Sequence, residues 1–447
     1  MYKRQLLENL QVWKENPARK PLILRGARQV GKTTLIKMFS ESFDHYIYLN
    51  LDKKQDLDIF DKNDNVHTII KILFFKHSIS PKKHSKILLF IDEIQNSSNA
   101  IKLLRYFYEE VGHIYVIAAG SLLETIIKDQ VSFPVGRVEY LVLRPFSFTE
   151  FLLAKNEDVA LEAIQTIPVP EYAHHKLLEL FNEYCLIGGM PEIVANYLKY
   201  NDMVRLSKIF DSLITTYLDD VEKYAKNDHK KKIIRHIIVN AVKFAGKRIK
   251  FEGFAQSNYK SKDIGECFRV LEKAFILSLV YPTTSTRIPL TENLRKSPKL
   301  QFFDTGIVNK FAGAQSSILN NEMLDDVFAG KIAEHIVGQE LLSAKPDALA
   351  KNTFWVREKR QSSAEVDYVI QINDLLVPVE VKTGKTGRLR SLMEFIDRSP
   401  HSFAIRIYSG KLSIEKSKTL KGKDFVLLNL PFYLISKIPG YFNWMST

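Results

Sequence analysis

Residues 21–39, PLILRGARQVGKTTLIKMF, join a short apolar strand to an amphipathic helix through a glycine-bounded turn. Within them Gly26, Ala27, Arg28, Gln29, Val30, Gly31, Lys32 and Thr33 read G-x-x-x-x-G-K-T, and Thr34 follows. That spacing between a strand and a helix is the pattern of a phosphate-binding loop. Its glycines let the backbone curl so that N–H groups face phosphate oxygens, and the helix start adds partial positive charge. Lys32 is expected to reach the β- and γ-phosphates, and the Thr33 hydroxyl to ligate Mg²⁺. The loop therefore predicts ATP and Mg²⁺ as cofactors and a parallel α/β sheet as the first domain.

Working outward, KILLFIDEIQ (86–95) reads as a buried parallel strand ending in Asp92 and Glu93. Ligands of open α/β sheets bind at that strand end. Asp92 would hold Mg²⁺ through water, and Glu93 would orient or deprotonate an attacking water. HYIYLNL (45–51) and HIYVIAAGS (113–121) supply further strands, the latter ending in Ser121. Ser121 either senses the γ-phosphate or caps the next helix. Arg137 and Arg144 are candidates for an arginine finger, against the plainer reading of surface or strand-start ion pairs. Ser147 and Glu150 form the Ser-x-x-Glu start of a helix.

Taken in order, ILRGARQVGKTTL, LFIDEIQ, GSLLE and GRVEYLVLRPFSFTEFL resemble the large prokaryotic family of AAA-like ATPases whose ATPase module is joined to a C-terminal domain of unknown function. The resemblance runs along essentially the whole chain and implies ATP binding, without a defined biological role. Residue patterns along the chain place the ATPase core at 1–165, a helical lid at 166–228, a winged-helix-like domain at 229–320 and an α/β domain at 321–447. In the last, Glu334, Asp367 and Glu380-x-Lys382 on helix, strand and strand resemble the restriction-endonuclease-like fold. The family likeness also gives the GGMPE turn (188–192) a role: Pro191 would pack near the adenine and report nucleotide state. On the residues alone, Gly-Gly breaks one helix and Pro191 opens the next.

In the middle, a helix-turn-helix is expected with its longer helix starting near Ser261. FILSLVYP (275–282) and KLQFFDTGI (299–307) pair as a wing. Lys260, Lys262, Arg269 and Lys273 give the longer helix a basic side, which suits a major groove or simply water. In the tail, AEVDYVIQINDLLVPVEVKTGK (364–385) reads as a hairpin turning near Asn373–Asp374. It would set Asp367 beside Glu380, with Lys382 on the same face as Glu380. Glu334 lies on the helix before the sheet. In the nuclease reading, Glu334, Asp367 and Glu380 hold a divalent metal while Glu380 and Lys382 serve the chemistry. The alternative is a related fold kept as a binding platform, its carboxylates paired with lysines.

The composition, 45% apolar and 26% charged, is that of a folded globular chain. The N-terminal stretch lacks an apolar core of signal-peptide length, and no run reaches membrane-span length. Two distant cysteines, Cys185 and Cys267, lack metal spacing and fit a reducing cytoplasm. The net charge of +13 favours a nucleic-acid or anionic-surface partner, DNA first among nucleic acids, against the plainer reading of a soluble protein with many lysines. Self-association or a protein partner is the other expectation. The leading function is an ATPase coupling nucleotide state to a nucleic-acid-binding or nuclease-like tail. The alternative is a slow signalling switch with a non-catalytic, protein-binding tail. A threading unfoldase ranks third, because residues 52–86 contain no glycine for a pore loop.

Overall fold

The structure is a computed structural model that describes residues 2–82, 84–120, 134, 136–225, 227–311, 331–358, 364–383 and 389–446. The chain divides into two compact units. The first is Met1–Arg144 with Lys273–Phe275 and Pro346–Leu349; the second is Pro145–Glu272, Ile276–Lys345 and Ala350–Thr447.

The first unit is built on β1 (Leu22–Arg25), β2 (His45–Asn50), β3 (Ile87–Asp92), β4 (Ile114–Ala119) and β5 (Glu139–Val142). They form one parallel sheet in the order β2-β3-β4-β1-β5. All six residues of β3 are buried, as a parallel strand covered on both faces requires. Ile23, Leu49, Leu89, Ile91 and Ala118 meet Ile101, Leu104 and Phe107 of the Ser98–Glu110 helix in its core. Because β4 lies between β1 and β3, the phosphate loop and the acidic strand are two strands apart and end on the same edge.

The second unit opens on the capping box read in the sequence. The Ser147 hydroxyl accepts from the Glu150 N–H, and the Glu150 carboxylate accepts from the Ser147 N–H. The helices His174–Ile187, Pro191–Tyr200 and Met203–Tyr224 follow. The Gly188–Gly189 turn between the first two is fixed mechanically. Gly188 has φ of 77°, and a Cβ there would stand 2.3 Å from the Asp304 carboxylate. That carboxylate accepts from the Gly189 N–H at 2.7 Å, and the Gly189 carbonyl accepts from the Phe146 N–H at 2.7 Å. Pro191 takes the first turn of its helix, as expected.

Next come helices Asp228–Ala241 and Ser261–Lys273, then β6 (Leu277–Val280), β7 (Pro282–Thr283) and β8 (Lys299–Phe302). β6 and β8 pair antiparallel as read. The two-residue β7 was not foreseen, and it joins the edge of the tail sheet beside β9. That sheet comprises β9 (Thr353–Val356), β10 (Glu365–Ile372), β11 (Leu375–Val381), β12 (Phe403–Tyr408), β13 (Ser413–Lys418) and β14 (Asp424–Pro431) with β7. Its order is β13-β14-β12-β11-β10-β9-β7, seven strands of mixed direction. The β10–β11 hairpin pairs Ile372 with Leu375 and turns through Asn373 at φ 51°, where Asn is tolerated. The Arg390–Arg398 helix buries Leu392, Phe395 and Ile396 against Trp355, Val366 and Leu427.

A buried polar network ties this unit together. Glu340, on the Lys331–Ser343 helix, accepts from Tyr184 Oη at 2.7 Å and from the Phe148 N–H at 3.2 Å. Burial pushes its carboxyl up to about 7 from the usual 4.5. The folded chain thus keeps a proton that the unfolded chain loses between those values, so this residue's contribution turns unfavourable as pH rises through the window. The full swing is about 3 kcal/mol. Glu340→Gln is expected to flatten the decline in stability from pH 5 to pH 7.5, read as paired urea-unfolding midpoints of variant and native chain. Parallel pH dependences would show that Glu340 ionises normally.

Candidate nucleotide site and the acidic cluster of the tail sheet

The loop after β1 is shaped by backbone constraints. Gly26 has φ of 142°, and a Cβ on it would lie 2.2 Å from the Leu143 carbonyl oxygen. Gly31 takes φ 94° at the start of the Lys32–Ser40 helix, and Gln29 also sits at positive φ, 63°. Such conformations in a non-glycine residue cluster at ligand-holding sites. Arg4 braces the loop, donating to the Val30 carbonyl at 2.9 Å and to the Arg144 carbonyl at 2.6 Å. Lys32 turns back into the loop, with its ammonium 2.9 Å from the Gly26 carbonyl and 2.8 Å from that of Ala27. Burial lowers its pKa to about 8, against the pull of Glu93 and Asp92.

The acidic strand meets this loop. Thr33 Oγ1 donates to Asp92 Oδ2 at 2.7 Å, so the two groups expected to share Mg²⁺ already touch. Their oxygens are the hard donors that Mg²⁺ takes, one hydroxyl and one carboxylate, which fits the group. Tyr48 Oη shares the same Asp92 oxygen at 3.3 Å. Burial and then Asp92 raise the Tyr48 phenol to about 12. Glu93 stands just past the strand at φ 52°, ψ 41°, and Gln95 Nε2 donates to its carboxylate. Tyr48 and Gln95 were not singled out in the sequence. The only signal for Gln95 is its place directly after Asp92-Glu93-Ile94, and for Tyr48 its alternation along β2.

The remaining candidates are not drawn into this group. Ser121 lies outside the described residues. Arg137 is 43% exposed and pairs with Glu109 at 2.8 Å, the surface ion pair that was its plainer reading. Burial lowers the Arg144 guanidinium to about 10, and its carbonyl serves Arg4. Pro191 belongs to the second unit and is described with it above.

In the tail, the β10–β11 register sets Tyr368 opposite Val379 and brings Asp367 beside Glu380. Asp367 Oδ2 accepts from the Val381 N–H at 2.8 Å. Lys382 Nζ lies 2.7 Å from Glu380 Oε1, while Glu380 Oε2 is buried without a hydrogen-bond partner. Burial and then Asp367 push the Glu380 carboxyl up to about 7, against Lys382. The sequence did not anticipate Lys299. From β8 its ammonium reaches Glu365 at 2.9 Å, Glu334 at 3.0 Å and Asp367 at 3.6 Å. Burial alone would lower its pKa; Glu334, Asp367 and Glu365 raise it instead. Glu334, Asp367 and Glu380 thus share one neighbourhood but not one centre. Among the described residues, no group of three or more His, Cys, Asp or Glu side chains is arranged to hold a metal ion.

The lowered Lys32 pKa has a direct consequence for anion binding. Nucleotide affinity is expected to fall as pH rises through about 8, toward a limit of about tenfold per pH unit. Fluorescent-nucleotide titrations between pH 7 and 9.5 would read it. Lys32→Arg, which stays charged throughout, should remove the dependence whatever its absolute affinity. An identical pH profile in both proteins would exclude Lys32 as the titrating group.

Comparison with known proteins adds matches to three parts of the chain. Residues 18–152 match the model of an AAA domain, residues 178–317 a domain of unknown function (DUF8612), and residues 329–433 another (DUF4143). An uncharacterized protein of Methanocaldococcus jannaschii is 24% identical over 361 residues, covering 74% of this chain and 70% of its own. An uncharacterized protein of Haemophilus influenzae is 24% identical over 377 residues, covering 80% and 81%. Among solved structures, a Walker-type ATPase of Pyrococcus abyssi aligns over 70% of this chain and 96% of its own, at 17% identity and a TM-score of 0.46. No helix among the described residues is long and apolar enough to cross a membrane. With the loop, the acidic strand and the parallel sheet in hand, the N-terminal part of this chain is a P-loop ATPase domain of the AAA type.

Proposed function

We propose that this chain binds and hydrolyses ATP and uses nucleotide state to control its C-terminal domains. The observation that carries the reading is the meeting of Lys32, Thr33, Asp92 and Glu93 at one end of a parallel sheet. Lys32 and the loop N–H groups would hold the phosphates, exchanging the Gly26 and Ala27 carbonyls for phosphate oxygens. Thr33 and Asp92 would hold Mg²⁺, which supplies charge neutralisation when bound. Glu93, steadied by Gln95, orients and deprotonates the attacking water. Ser121 and Pro191 are the proposed nucleotide sensors. Arg137 or Arg144 is the proposed finger, in which role Arg137 would give up Glu109, in its own chain or a neighbouring copy.

Downstream, DNA is the proposed partner. Its support is the net charge of +13 and the exposed Lys260, Lys262 and Arg269 on and beside the Ser261–Lys273 helix. Two acids of that helix are already occupied, Glu266 by Lys230 and Asp263 by His229, which leaves the basic side to dominate. In this reading the segment 229–320 acts as a winged helix and the tail as a nuclease-like domain, working in the cytoplasm away from membranes. A second reading is a slow nucleotide switch whose tail binds a protein and cuts nothing. The ion pairs of Lys299 and Lys382 within the tail's carboxylates favour it.

ATP turnover tests the first step. Glu93→Gln should keep nucleotide binding and lose about 10²- to 10⁴-fold in turnover, whereas Lys32→Ala should lose binding itself. Full turnover in Glu93→Gln would sink the proposed role of this acid. For the tail, supercoiled DNA incubated with Mg²⁺ or Mn²⁺, with and without ATP, is compared with Glu380→Ala. Cleavage lost in the variant supports the nuclease reading. DNA binding without cleavage, weakening by roughly 0.9 log units per log unit of salt for each phosphate contacted, leaves coupling to DNA standing without a nuclease. Neither cleavage nor binding moves the function to the switch.

A further inference from the structure

Lys299 is 5% exposed, on a strand that belongs to the middle segment rather than to the tail sheet. Burying an ammonium is costly unless charged partners surround it. Here they do: Glu334 comes from the Lys331–Ser343 helix, while Glu365 and Asp367 lie two residues apart on one face of β10. The ring of Phe354, 4.9 Å from the ammonium, closes a further side. An ammonium offers three N–H donors, and three carboxylates stand around it.

We propose that Lys299 is the resident cation of this acidic cluster, occupying the place between Glu334 and Asp367 that a divalent metal would need. The two cations exclude one another. A divalent ion bound by these oxygens would stand within a few ångströms of an ammonium pinned by β8 and 5% exposed, where bulk solvent screens little. Two of the three carboxylates that the nuclease reading assigns to a metal are therefore already satisfied. The third, Glu380, is paired through one oxygen with Lys382 and keeps Oε2 buried and unpartnered. The four carboxylates Glu334, Glu365, Asp367 and Glu380 face two ammoniums and the Arg248 guanidinium, 3.5 Å from Glu365, so acid outnumbers base by one and replacing Lys299 by an uncharged residue would enlarge that excess. Metal affinity is thus latent in the tail and held off by one side chain of the preceding domain. The inference uses the nuclease-like reading only for which carboxylates a metal would take, and ATP turnover does not enter it.

The test is Mn²⁺ binding to the nucleotide-free full-length chain, read from the loss of the free-ion electron paramagnetic resonance signal. Each protein is compared with its Asp367→Asn counterpart, so that ions on the ATPase domain cancel. The native chain should show no saturable site that Asp367→Asn removes. Lys299→Met should gain one, at least about tenfold tighter than anything in the native tail, and lose it again with Asp367→Asn. An Asp367-dependent site in the native chain overturns the proposal, as does a folded Lys299→Met that gains none. Lys299→Gln serves if the methionine variant does not fold, and the native-chain comparison decides by itself if neither does. Turnover of ATP by the same samples reports separately on the ATPase reading.

Discussion

The hydrogen bond from Thr33 to Asp92 exists because β1 and β3 run parallel with a single strand between them. Parallel pairing makes every strand of the first sheet end on the same edge, and each is followed by a chain segment that must leave there. One such exit is the phosphate loop and another is the acidic turn of Asp92 and Glu93. Reversing either strand would carry its side chains to the opposite edge. The positive φ of Gly26 and the close approach of Leu143 then set how sharply the loop can turn. Arg4, far away in sequence, holds the Val30 carbonyl so that the loop keeps that shape. The site is thus a property of the sheet first and of the loop second.

The second unit is held by buried polar groups as well as by its apolar core. Asp304 fixes the Gly188–Gly189 turn, and Gly189 in turn holds Phe146. Glu340 receives Tyr184 and the start of the helix that the Ser147–Glu150 box caps. His335 accepts from the Phe302 N–H at 3.1 Å, and Gln339 accepts from the Thr305 N–H at 2.7 Å, so the Lys331–Ser343 helix reads the backbone of β8 and its exit along one side. Buried groups of this kind are expensive if one partner is lost, which fixes a single arrangement. It follows that β8, and Lys299 at its head, is placed by hydrogen bonds the cluster itself does not make.

What could be read in advance was whatever the chain states locally. The phosphate loop, the acidic strand, the Ser147–Glu150 capping box and the turn at Asn373–Asp374 each declare themselves within a few residues. Strand alternation was enough to bring Asp367 and Glu380 together. What escaped were contacts with no local mark. Lys299 is one lysine among many, its partners Glu334 and Asp367 lie 35 and 68 residues onward, and only the register of β8 brings it to them. β7 is two residues long and pairs with a strand some seventy residues away, too short to show any period. Asp304 resembles any turn aspartate until Gly188 is folded onto it. Arg137 was legible as a basic residue at a strand start, but the side chain it meets, Glu109, lies on a helix before β4.

Lys32 and Lys299 show how a fold assigns opposite meanings to one residue type. Both ammoniums are withdrawn from water. Lys32 has only carbonyl dipoles in contact, with the charges of Asp92 and Glu93 nearby, and burial lowers its pKa to about 8. Lys299 has three carboxylates, and its pKa rises. An under-compensated cation stabilises whatever anion arrives, which is what a phosphate site requires. A fully compensated one has no charge left over for an incoming anion and instead neutralises the acids around it. The phosphate loop is therefore primed to take an anion in, while the acids around Lys299 already have a cation among them. Lys299 reaches those carboxylates from β8, a strand outside the tail sheet that is held by an independent set of hydrogen bonds.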